Sequence, residues 1–165
     1  MRLRQRVFNE QQRFEMPSWR GMEHDEYDNL AATYLVAIAN GRVVGGLRSR
    51  PTEYPGYKGS MIADKFRYLV AGDMPSGPTI HEGTWFAVEH NLTNGCRNSV
   101  KDVLVLGHLE FSLLISVTQI IGIVPVAIWR SLFVSRGWPV TILGGQPLPP
   151  MKILSVIEGL GVSSP

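Results

Sequence analysis

A chain of 165 residues, 44% of them hydrophobic and 18% charged, has the size and apolar content of one α/β domain with a sizeable core, and two domains would each be small. Lys and Arg number 16 against 14 Asp and Glu, a net charge of +2. That is too balanced for a general nucleic-acid coat or an acidic tail protein. The single Cys96 excludes an internal disulfide and a cysteine-built zinc site, and it suits a reducing cytoplasm, the expected location.

The opening MRLRQRVF lacks the continuous apolar region of a signal peptide. Leu3 to Arg13 has the spacing of a short helix that starts almost inside an amphipathic pattern, so its N-terminal side is expected to be missing. Phe14 to Asn29 carries Pro17, Gly21 and acidic or amide side chains in irregular order, which predicts a long ordered loop. Thr33 to Ala39 (TYLVAIA) and Arg42 to Leu47 (RVVGGL) flank Asn40-Gly41, and because both turn residues tolerate positive φ this is a strong hairpin signal. Past PTEYPGYKGS, Met61 to Val70 reads as a short helix and Thr79 to Val88 as a third strand.

Asn98 or Ser99, both good N-cap types, is expected to open a long helix to about Gln119, with Val103, Leu106, Leu109 and Leu113 on one stripe. Ile120 to Val124 follows as a buried strand, Pro125 to Arg136 as a helix stopped by Gly137, and Pro139 to Leu143 as a last strand. The uncharged run Phe111 to Trp129 approaches the length of a spanning helix. Ser116, Thr118, Gln119, Gly122 and Pro125 interrupt it, so it divides into a helix end, a strand and a helix turn, and no membrane span is expected. The order βββαβαβ, behind an N-terminal helix and loop cap, predicts an α/β (α+β) mixed sheet with helices on its faces. That three-layer sandwich has the element order of the N-acetyltransferase-like fold, which by itself assigns no chemistry. Residues 1–165 are expected to form one domain, with 144–165, opening GGQPLPP, as an irregular tail.

Glu23-His24-Asp25-Glu26-Tyr27-Asp28 puts four carboxylates in six residues. It reads either as a solvated acidic turn or as a site where Asp25 and Asp28 hold the ammonium of a cationic ligand. The kinked, alternating oxygen spacing of a calcium loop is absent, so no metal is expected. Glu82, in an otherwise apolar or small strand, needs a partner such as Arg48, or serves as proton acceptor for an attacking amine. His24, His81, His90 and His108 lack metal-ligand spacing and read as structural or surface histidines. No nucleophile elbow is present. EHNLTNGCRNS, ahead of the long helix, has one glycine and makes a poor pyrophosphate loop.

Together the residues resemble the acyl-homoserine-lactone synthases, the bacterial autoinducer synthase family. The carriers are Arg4-Gln5-Arg6-Val7-Phe8, Glu23-x-Asp25-x-Tyr27-Asp28, Gly46-x-Arg48-x-x-Pro51-Thr52 and Glu82-x-Thr84-x-Phe86-Ala87-Val88, in the family's order from Leu3 to about Leu148. The resemblance implies transfer of an acyl group from acyl carrier protein to the amino group of S-adenosylmethionine (SAM), then lactone closure with release of methylthioadenosine (MTA), for quorum sensing. Position by position it implies a SAM site of Arg4, Phe8, Phe14, Asp25, Asp28, Arg48, Phe66 and Trp85, with Glu82 as the catalytic carboxylate near the amine. Arg97 and Lys101, at the start of the long helix, are the candidate contacts for acyl carrier protein. SAM is a substrate in that chemistry, so no separate cofactor is implied.

Four positions depart from the family pattern. Trp85 stands where an arginine usually follows the strand glutamate by three residues, and losing that cation is expected to leave site carboxylates short of a partner. Phe14 stands for a tryptophan, His81 for an aromatic and Ser49 for an apolar residue, and the N-terminus is shorter than usual. Besides the synthase, two readings stay open: an inactive homologue that only binds ligand or acyl carrier protein, and a coenzyme A dependent N-acyltransferase.

Overall fold

A computed structural model describes residues 1–11, 18–144 and 153–158. Phe14 lies outside the described residues. The chain opens with α1 (Arg2–Arg4), continued as π-helical turns over Gln5–Gln11. The expected loop that follows contains a small hairpin, β1 (Ser18–Trp19) and β2 (Met22–Glu23). Arg20 and Gly21 join its strands with φ of 51° and 69°, the pair of positive dihedrals that closes a two-residue turn.

β3 (Thr33–Ala39) and β4 (Arg42–Pro51) form the expected hairpin around Asn40 and Gly41, at φ 50° and 72°. α2 (Met61–Phe66) starts at Ser60, whose hydroxyl accepts the Ala63 N–H, and tightens into a 3₁₀ turn over Arg67–Leu69. β5 (Ile80–Val88) leads to α3 (Asn94–Leu114). α3 begins five residues before the earlier of the two expected starts, because Thr93 and not Asn98 or Ser99 caps it, its side chain accepting from Cys96 N–H. Its inward stripe is Leu104, Val105, His108, Leu109 and Ser112, while Val103, Leu106 and Leu113 are half exposed. Two polar residues lie on that buried face, so counting apolar side chains alone set the stripe one position out of register.

β6 (Gln119–Val124), α4 (Val126–Ile128) with its π and 3₁₀ continuation to Arg136, and β7 (Val140–Ile142) complete the expected order. Gly137 ends the helical segment at φ 69°. The tail is not wholly irregular: β8 (Ile153–Glu158) inserts between β6 and β7, antiparallel to both. The sheet order is β3-β4-β5-β6-β8-β7, with β5 and β6 as its parallel pair. Among the described residues no helix is long and apolar enough to cross a membrane.

Strand alternation sorts side chains between two covered faces. Gly45 and Leu47 of β4 meet α3, whereas Arg48 and Arg50 face residues 23–28 and α2. Ile120 of β6 joins the α3 and α4 cluster with Leu109, Leu132 and Phe133, and its neighbour Ile121 joins Ile62 and Val70 beneath α2. β5 and β6 pair only from Ile80–Gln119 to Gly83–Gly122, after which β6 follows β8 alone.

Candidate active site

A bulge in β5 builds one wall of the site. Gly46 pairs with Ala87 and Arg48 with Thr84, so Trp85 and Phe86 together oppose Leu47. Trp85 absorbs the extra residue at φ 56°, a strained value for a bulky side chain. The bulge keeps Trp85 on the face of Thr84, while Phe86 goes to the α3 side.

The acidic segment folds as a turn over that face: Asp28 N–H donates to the Asp25 carbonyl at 3.1 Å, and Tyr27 N–H to Asp25 Oδ1 at 2.9 Å. Its carboxylates are met by two buried arginines. Arg48 Nη1 donates to Asp25 Oδ1 at 2.6 Å and to Asp28 Oδ1 at 2.8 Å, and its Nε donates to Thr84 Oγ1 at 3.0 Å. Arg4, from α1, donates to Asp28 Oδ1 at 2.7 Å and to Glu23 Oε1 at 2.9 Å. Trp85 Nε1 donates to Asp25 Oδ2 at 2.7 Å. Its ring lies 4.3 Å under the Arg4 guanidinium and 4.9 Å, edge to face, from Phe8. The expectation that Trp85 leaves carboxylates short of a partner is therefore overturned: Asp25 keeps Arg48 and gains the indole N–H.

The electrostatics follow from that geometry. Burial works against the Asp28 carboxylate, but hydrogen bonds from Arg4, Tyr34 and the Asp25 backbone hold it down to about 2. Glu23 is raised by burial, against the pull of Arg4. Three carboxylates against two guanidinium groups leave the cage one net negative charge when all are ionised. Beside it a small open cleft is lined by Arg4, Tyr34, Arg48 and Trp85, with apolar walls from Leu3, Val36 and Val43.

Glu82 sits deeper on the same face, fully buried. It accepts from Ser60 Oγ at 2.7 Å, Met61 N at 3.0 Å and Ile62 N at 3.1 Å, so it anchors the start of α2. The arginine beside it is Arg50, directly opposite in the β4–β5 register with Nε 3.9 Å from Oε1, and not Arg48 as the sequence suggested. Arg50 and Glu23 were both missed in assigning roles. Glu23 stood inside the acidic motif, and Arg50 carries the same-face signal of a residue two after Arg48 on a strand.

Other expected residues lie elsewhere. Phe66 packs in the apolar cluster of Ile62, Val70 and Ile121. Arg97, on the first turn of α3, donates to the His90 and Leu92 carbonyls at 2.6 and 3.0 Å. Lys101 lies one turn further along, half-buried. On the α3 side, the Ser49 hydroxyl bridges His81 Nδ1 at 3.1 Å and His108 Nε2 at 2.8 Å. All three are buried, and burial lowers both imidazoles to about 4. Among the described residues no His, Cys, Asp and Glu cluster is suited to a metal ion.

Comparison with known proteins bears on this arrangement. The chain matches the model of the autoinducer synthase family over residues 1–163. It is 34% identical over 145 residues to an isovaleryl-homoserine lactone synthase of Bradyrhizobium diazoefficiens, covering 87% of this chain and 63% of that protein. It is 30% identical over 153 residues to a probable acyl-homoserine-lactone synthase of Sinorhizobium fredii, covering 89% of this chain and 71% of that protein. The chain thus spans about two thirds of the length of these relatives. The solved structure of BjaI, a CoA-dependent acyl-homoserine lactone synthase with SAM and isopentyl-CoA, superposes with a TM-score of 0.81 at 30% identity, covering 95% of this chain and 72% of that one. Matched along nearly its whole length to that family's model, the chain belongs to the autoinducer synthase family.

Proposed function

We propose that the chain synthesises an acyl-homoserine lactone from SAM and an acyl thioester. The observation that carries this reading is the cage of Arg4, Glu23, Asp25, Asp28 and Arg48, one negative charge in excess, opening beside Trp85 onto a cleft. A ligand bearing ammonium and sulfonium charges suits that excess. Ion pairing within the cage fixes its shape before the ligand arrives, so little is lost to reorganisation on binding.

The amine nitrogen attacks the thioester carbonyl, the new C–N bond replaces the C–S bond, and the thiol departs with a proton. The SAM carboxylate then attacks the carbon bearing the sulfonium, closing the lactone and releasing MTA as a neutral thioether. Glu82 is the proposed acceptor of the ammonium proton, directly or through water. The acyl chain is assigned to the α3 side, where β5 and β6 part after Gly83 and Gly122 and the apolar cluster of Phe86, Val105, Leu109 and Ile120 begins. His108 and Ser49 form the polar margin of that cluster.

For the donor, the resemblance implies acyl carrier protein, whereas BjaI is CoA-dependent. We favour the coenzyme A thioester, because that is the donor of BjaI and because Arg97, one of the two candidate carrier contacts, is tied back to the His90 and Leu92 carbonyls. The test is MTA release and lactone mass with SAM and either acyl-CoA or acyl carrier protein thioesters of several chain lengths. Release with acyl-CoA supports the donor named here, and release with the carrier alone replaces it. Folded protein that releases no MTA with either overturns the synthase reading.

A further inference from the structure

Arg50 is fully buried on the site face of β4, yet its guanidinium is poorly matched. One amino group, Nη2, donates to the Lys58 carbonyl. Nε and Nη1 have no hydrogen-bond partner among the described residues. The carboxylate beside it, Glu82, is 3.9 Å from Nε and already accepts three hydrogen bonds from Ser60, Met61 and Ile62. The Tyr27 ring lies 5.2 Å from the guanidinium carbon, which offers a cation a π-face but no lone pair for a hydrogen bond. Burial without sufficient acceptors pulls the Arg50 pKa down, against the raising influence of Glu82.

Buried guanidinium groups normally have their donors satisfied, because unmatched N–H groups carry the full penalty of lost hydration. An open Nη1, beside a carboxylate that already holds three donors and whose nearer oxygen is 3.9 Å from Nε, therefore lacks an acceptor within hydrogen-bond distance. We infer that Arg50 is the anchor for the carboxylate of the amino-acid moiety of SAM, its open donors receiving one carboxylate oxygen alongside Glu82. This rests on the synthase reading above and adds a ligand-binding residue to it. Arg50 and Arg48 occupy the same face of β4 two residues apart. The adenosyl and sulfonium end then lies toward the Arg4, Arg48 and Trp85 cleft, with the carboxylate toward α2. Nη2 is spoken for by Lys58, so the contact comes through Nη1 and Nε and leaves the second carboxylate oxygen free to attack in lactone closure.

The experiment is calorimetric titration of the full chain with three probes: SAM, decarboxylated SAM and MTA. Wild-type protein is expected to bind SAM about 10- to 100-fold more tightly than decarboxylated SAM, the range of a charge-assisted hydrogen bond. Arg50→Gln is expected to lose that preference while keeping wild-type affinity for MTA, which has no carboxylate and reports an intact site. Wild-type protein that binds both sulfonium probes equally overturns the assignment without recourse to any variant. So does Arg50→Gln that keeps the full preference. Wild-type protein that binds MTA but shows no carboxylate preference overturns this assignment alone, whereas binding of neither SAM nor MTA overturns the synthase reading and the assignment with it.

Discussion

Trp85 shows how one backbone dihedral assigns a side chain its task. At φ 56° in the β5 bulge, it reaches Asp25 through its indole N–H, so Trp85→Phe keeps the ring beside Phe8 but removes a donor to a carboxylate. The expected loss is about 1–3 kcal/mol of stability, read by urea denaturation, and an unchanged midpoint would show the bond contributes nothing. The Ser49–His81–His108 chain makes a second prediction. Both imidazoles are lowered by burial to about 4, against about 6.5 in an unfolded chain. Below pH 6.5 the unfolded state therefore takes up protons that the folded state refuses, so stability falls as pH drops toward 4. Asp28, held to about 2, works from the other side: its stabilisation is intact above pH 4 and is lost between pH 4 and 2. Denaturation midpoints across this range should decline in two stages. His108→Gln, which keeps a partner for Ser49, should flatten roughly half of the upper stage and spare the lower.

At the scale of elements, α3 docks on β4 because Gly45 lets it approach. A Cβ there would meet Val100 Cγ1 at 2.6 Å and Leu104 Cδ1 at 3.0 Å, closer than packed carbons tolerate. Gly45→Ala should cost about 1–3 kcal/mol by overpacking. Gly95, on the first turn of the same helix, has nothing within 4 Å of the corresponding position, and Gly95→Ala should be neutral or stabilise by up to about 1 kcal/mol. Thermal melts of the two variants side by side check the contrast, and equal shifts would contradict it. α2 is held differently, by Glu82 at its N-terminus and by surface contacts of Asp64 with Tyr27 and Lys58. These contacts tie the helix to the acidic turn beside the site. The Asn40-Gly41 hairpin was legible because its turn chemistry is local. The start of α3 was not, because Thr93, Asn98 and Ser99 are all acceptable caps and packing chose among them.

For the whole molecule, the sheet is completed from the chain's far end. β8 pairs along all of β6 from Gln119–Glu158 to Val124–Ile153, and it carries β7 on its other edge. A chain ending at Gly144 would expose both edges of β6 beyond Gly122 and strand β7, so it is expected to aggregate, whereas the full chain elutes as a defined species in size-exclusion chromatography. A truncated form that stays discrete and keeps the same melting temperature would contradict this.

The grouping of Glu82 with the acidic segment came from the family resemblance; composition and period by themselves determined that this is one mixed α/β chain, that a hairpin closes at Asn40-Gly41, and that Glu82 on its apolar strand needs a partner. Those features rest on local chemistry: turn dihedrals, strand alternation and the cost of burying charge. Only the tertiary structure decided which arginine meets which carboxylate. Arg4, Arg48 and Arg50 are equivalent as residue types, but strand register and the β5 bulge place Arg48 on Asp25 and Asp28, and Arg50 beside Glu82 with donors to spare. Partner choice among like charges is set by distances of a few ångströms between segments far apart in the chain, and those distances exist only once the sheet has formed.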